Sequence, residues 1–73
     1  MNEKDFQDAL KALLREVALM DEAAASAAGV PDALVNLRRV RTYEEEGILT
    51  QNAGLTVTTA DGSEFQITIV RSR

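Results

Sequence analysis

Two residue types that most often carry chemistry are missing: the chain has no histidine and no cysteine. Without histidine no side chain exchanges a proton near neutral pH unaided. Without cysteine there is no thiolate nucleophile, no disulfide and no thiolate metal ligand. Hydroxyl nucleophiles remain, but Ser63 beside a turn and Ser72 near the C-terminus have only carboxylates and lysine to serve as a base. Neither Lys4 nor Lys11 reads as a buried position, so neither is an obvious activated amine. This inventory argues for a non-enzymatic protein, with no catalytic residue, no cofactor and no evident small-molecule substrate.

Glu44-Glu45-Glu46 has the oxygen donors that a hard cation takes. Three consecutive side chains do not converge on a helix or a strand, so a solvated acidic turn with Glu45 as a cap is the better reading, and no metal is expected. The glycines are scattered singly and make no phosphate-cradling loop.

The arginines are the remaining chemistry. Five of the eight basic residues fall in two clusters, Arg38-Arg39-Val40-Arg41 and Arg71-Ser72-Arg73. Arg38, Arg39, Arg41, Arg71 and Arg73 are candidate phosphate contacts, and they would form one patch if the C-terminal strand ran beside a second helix formed by the middle of the chain. The alternative is pairing with the acids of the N-terminal helix and of Glu44–Glu46. Net charge is −4, and residues 1–22 hold six acids against three bases, which disfavours nucleic acid as the general partner.

These groups must be positioned by a small scaffold. Seventy-three residues make one domain, residues 1–73, and a chain of this size buries only about 60% of its extended surface. Leu55, Val57 and Thr59 alternate with Thr56 and Thr58; Ser63, Phe65, Ile67 and Ile69 alternate with Glu64, Gln66 and Thr68. Period two with a turn signal at Asp61-Gly62 predicts a β-hairpin. A two-residue loop would put the apolar residues of the strands on opposite faces. A three-residue loop, Ala60-Asp61-Gly62, pairs Val57 with Phe65 and Leu55 with Ile67 on one face, and requires Gly62 at positive φ. The polar face then carries Thr56, Thr58, Gln66 and Thr68 as candidate partner-binding residues. The terminal strand keeps a free edge that invites a partner strand.

Asn2 is a natural N-cap, with Asp5 at the third helical position. Phe6, Leu10, Leu13, Val17 and Met20 then recur at steps of four and three, widened by Ala9 and Leu14. This predicts an amphipathic helix whose stripe Phe6, Leu10, Leu13 and Val17 covers the hairpin. The alanine-rich run extends it to Gly29, or it breaks near Asp21. A helix over 3–28 would be roughly 39 Å long against about 23 Å for a seven-residue strand, an overhang that wants a partner such as a second copy. Residues 31–39 are read as a second short helix, with Leu37–Tyr43 as an edge strand the competing reading. Thr42-Tyr43-Glu44-Glu45 has the capping-box form, leading to a turn that Gly47 ends.

Arg41-Thr42-Tyr43-Glu44-Glu45-Glu46-Gly47-Ile48-Leu49 resembles the Arg-Tyr-Tyr-Glu-x-x-Gly-Leu-Leu segment of MerR-family transcription regulators, and Ala28-Gly29-Val30 resembles the turn before it. The resemblance implies a helix-turn-helix leading into a wing, with Arg41 and Tyr43 contacting a DNA backbone. The Gly29-to-Tyr43 spacing is longer than that pattern.

The fold expected is α+β: a long N-terminal amphipathic helix, a short second helix or irregular segment, and a C-terminal antiparallel hairpin, with room for a third short edge strand. The function expected is that of a small protein-interaction or adaptor protein, with self-association as one form of it. The alternative is a small DNA-associated regulator using the arginines. No apolar run approaches the roughly 20 residues of a membrane span. The acidic, helix-patterned N-terminus is unlike a signal peptide. A cytoplasmic, bacterial-type protein is the expectation.

Overall fold

The computed structural model describes residues 1–73. Helix α1 (Glu3–Leu19) starts where Asn2 Oδ1 accepts the Asp5 amide at 2.8 Å. It stops at Met20, whose backbone turns extended, because Asp21 caps a new helix instead: its carboxylate accepts the Ala24 amide at 2.7 Å. A short side chain that bonds the backbone locally competes with helix continuation. Helix α2 (Glu22–Ala27) ends at Gly29, with φ of 77° and the Val30 amide returning to the Ala25 carbonyl. The break shortens α1 to 17 residues, about 25 Å, so most of the predicted overhang disappears.

The helix expected over 31–39 is absent. Asp32–Leu34 makes one 3-10 turn, Val35 is extended, and Asn36 takes a left-handed φ of 59°. Asparagine tolerates that region, and it ends any helical run there. The chain then enters the sheet, Arg38 donating to the Thr58 carbonyl at 2.8 Å. Strand β1 (Arg39–Thr42) is the third edge strand, and β2 (Ala53–Thr58) with β3 (Glu64–Ile69) forms the predicted hairpin. The sheet is antiparallel in the order β1-β2-β3. Val57 pairs with Phe65 and Leu55 with Ile67, the register chosen by the apolar alternation, and Gly62 has φ of 88° in the three-residue loop.

The core is Leu14, Leu37, Val40, Leu55 and Val57, flanked by Leu10, Val17, Ala18 and Leu34. It corrects the predicted helix stripe. Leu10 and Val17 face inward as expected, but Leu13 is 60% exposed and Phe6 51%, while Gln7 and Leu14 are buried. The reason is β1. With a third strand the sheet's centre moves from the hairpin to β2, and α1 settles over β1 and β2. The helix turns its Gln7–Leu14 side to that centre, and Phe6 and Leu13 are left exposed. No helix is long and apolar enough to cross a membrane.

Candidate functional site

The sheet has two unlike faces. Residues opposite one another in register share a face, so Val40, Thr42, Leu55, Val57, Phe65, Ile67 and Ile69 point toward α1. Arg39, Arg41, Gly54, Thr56, Thr58, Glu64, Gln66 and Thr68 point away. The predicted partner-binding residues therefore do lie together, but they are not equally available. Thr56 is only 2% exposed, lying between its register neighbours Arg41 and Gln66. The Thr68 hydroxyl is engaged by the Tyr43 hydroxyl at 2.7 Å. Gln66 is exposed and Thr58 half-buried, so these two are what the polar face offers. Tyr43 reaches Thr68 by lying across Gly54, where any Cβ would overlap its ring.

The apolar face is incompletely covered. Phe65 is 56% and Ile67 37% exposed, although both stand on the core side. On α1, Phe6 and Leu13 are exposed as well. Phe6 and Ile69 line one shallow cavity of about 200 Å³ at one end of this trough, and Phe65 lines another of about 300 Å³ with Asp32 and Ala33 at the other. Sequence periodicity identified Phe6, Leu13, Phe65, Ile67 and Ile69 as inward-facing. Their exposure could not be read before the position of β1 was known.

The five arginines do not form one patch. Arg38, Arg39 and Arg41 belong to the start of β1, while Arg71 and Arg73 follow β3 at the opposite edge and the opposite end of the sheet. Arg71 instead donates to the Arg73 carbonyl. Arg39 and Arg41 both approach Glu46, at 3.9 and 3.7 Å. A different basic cluster replaces the predicted one: Lys11 and Arg15 of α1 line a groove of about 420 Å³ with Arg38, Arg39 and Arg41. Lys11 and Arg15 were missed because they lie over twenty residues away in the chain, and only the α1–β1 packing joins them.

Glu44, Glu45 and Glu46 turn to different partners. Thr42 and Glu45 complete a reciprocal capping box, the Thr42 amide reaching Glu45 Oε1 at 2.9 Å and the Glu45 amide reaching Thr42 Oγ1 at 3.1 Å. Lys11 Nζ also donates to Glu45 Oε1 at 2.6 Å. The Lys11 ammonium, then the Thr42 amide, pull the Glu45 carboxyl down to about 2. Glu46 serves the arginines, and Gly47 ends the turn with φ of 70°. The MerR-like segment thus begins in an edge strand and continues into this capped turn, and the 3-10 turn at Asp32–Leu34 separates it from α1 and α2. Comparison with protein-family models, curated proteins and solved structures gives no match.

Proposed function

We propose that the protein is a small non-enzymatic protein-interaction module of the adaptor type. The observation that carries this is the trough. A three-stranded sheet with one covering helix leaves Phe65, Ile67, Phe6 and Leu13 in contact with water, and large apolar side chains left exposed beside the core of a small domain are a feature of interaction sites. The polar face adds Gln66 and Thr58 as hydrogen-bonding groups on a flat surface. We take the module to work in the cytosol, where a chain without cysteine loses nothing to reducing conditions.

Photo-crosslinking in the source cell tests this. A benzophenone side chain placed at Leu13 or Phe65 samples the trough, one at Gln66 the polar face, and one at Ala12 the solvent side of α1. A distinct protein captured from the trough or the polar face, with or without a second copy beside it, and not from Ala12, is the expected result. Adducts only with a second copy would leave a self-associating protein without an adaptor role. No adduct at any position removes the proposal.

The basic groove supports a second reading, a nucleic-acid-associated regulator. What favours it is that Lys11, Arg15, Arg38, Arg39 and Arg41 line one groove with Glu45 the only acid among the lining residues. Phosphate-driven binding is strongest at low salt. Binding of duplex DNA there, lost when Arg38, Arg39 and Arg41 become alanine, is the signature; no binding at low salt excludes it.

A further inference from the structure

We infer that β3 is a self-pairing edge: two copies join antiparallel through Glu64–Ile69, making one six-stranded sheet and closing their two troughs together. This rests on the protein-interaction reading and names the trough's occupant as a second copy of the chain.

The two edges of the sheet are built differently. Strand β1 has four residues, two of them arginines, and adjoins the basic groove. Short, cationic edges resist pairing. Strand β3 has six residues and contains no lysine, arginine or proline. Its hydrogen-bonding groups are also correctly aimed. The Gly54 and Thr58 carbonyls accept from Tyr43 and Arg38, so even-numbered residues of β2 turn to β1 and odd-numbered ones to β3. By the register, Phe65, Ile67 and Ile69 bond inward, and Glu64, Gln66 and Thr68 offer their N–H and C=O groups at the free edge.

Charge then selects the orientation and the partner. The strand is preceded by Asp61 and begins at Glu64, and Arg71 and Arg73 follow its end. A parallel copy would oppose like charges. An antiparallel copy centred on Gln66 sets Asp61 against the partner's Arg71 and Phe65 against the partner's Ile67. The second pairing lies on the α1 side, so Phe65 and Ile67, left exposed in the single chain, meet in the new interface. Backbone pairing, apolar contact and charge therefore all point to one self-complementary, two-fold arrangement.

Sedimentation equilibrium of the full chain over a dilution series, with amide exchange followed residue by residue, tests this. A monomer–dimer equilibrium is expected. The outward amides of Glu64, Gln66 and Thr68 should be protected in concentrated samples and lose protection on dilution. Phe65→Glu and Gln66→Pro should each weaken the dimer by at least about tenfold, and the circular dichroism of the folded monomer should persist. A chain that stays monomeric, or a dimer in which those three amides exchange freely, overturns the inference without any variant. So does a dimer that Phe65→Glu leaves intact. A strict monomer that still crosslinks to another protein would sink β3 pairing and leave the adaptor proposal standing.

Discussion

The Gln7 side-chain carbonyl accepts the Gly54 amide at 3.0 Å, buried, across 47 positions of chain. It occupies a vacancy in the β-ladder. The Gly54 N–H points to β1, but β1 has ended there: the Tyr43 carbonyl that would have accepted it takes the Ile48 amide at 2.9 Å as the chain turns away. One helical turn on, Lys11 reaches Glu45 in that same turn. The two side chains register α1 against the sheet.

Replacing Gln7 with leucine should therefore leave a buried N–H without a partner. The expected loss is about 1–3 kcal/mol, with a fall in Tm of about 4–8 °C per kcal/mol for a domain of this size. Urea denaturation measures the first, and the Gly54 amide should exchange faster than its strand neighbours. A variant as stable as the parent would show that water replaces the side chain.

Gly54 is constrained from its other face as well. A Cβ there would overlap the Tyr43 ring and crowd the Ile67 carbonyl. Gly54→Ala should cost about 1–3 kcal/mol, the usual range for overpacking. Tyr43→Phe, which loses only the hydroxyl bond to Thr68, should cost about 0.5–1.5 kcal/mol. In a double-mutant cycle with Tyr43→Ala the Gly54→Ala penalty should shrink, because the ring is its main cause. Strict additivity would put the clash in the backbone instead.

Much of this fold was legible in the sequence because its signals are local. Asn2 with Asp5, Thr42 with Glu45, and the glycines after α2 and in the loops at Gly47 and Gly62 act within a few residues. The hairpin register followed from one constraint, that Leu55, Val57, Phe65 and Ile67 share a face. The misreadings concern distant geometry. Leu34, Leu37 and Val40 suit a helix face, yet all three reach the core through a 3-10 turn, a left-handed Asn36 and a strand. Once β1 joined the sheet, α1 moved: Leu13, expected within the stripe, is left exposed, and Leu14, expected at its margin, enters the core. The basic groove and the apolar trough are products of that same displacement.

Acid should weaken the α1–turn connection. The folded state holds the Glu45 carboxyl at about 2 against an ordinary 4.5, so it favours the ionised form. Its contribution is complete above pH 4.5 and disappears as pH falls toward about 2. Asp61, held at about 2 by the Thr59 hydroxyl and the Ser63 amide, loses its own contribution over a similar range. Comparing the parent with Glu45→Gln isolates the first effect. The variant should be less stable at neutral pH, and the gap should close as pH drops from 4.5 toward 2. A gap constant across that window would mean that Glu45 acts through geometry and not charge.

Adjacent leucines on α1 give the sharpest test of where the helix sits. Leu14 is a core residue and Leu13, its neighbour in the chain, is 60% exposed. Leu14→Ala should cost about 2–5 kcal/mol, the range for truncating a buried leucine, a large share of what so small a domain possesses. Leu13→Ala, measured in dilute samples where copies are separate, should stay within about 0.5 kcal/mol. Leu13→Asp should likewise fold in dilute solution, because its carboxylate would face water. If the helix instead lay over the hairpin, with Phe6 and Leu13 inward, the order of the two alanine variants would reverse and Leu13→Asp would unfold the chain.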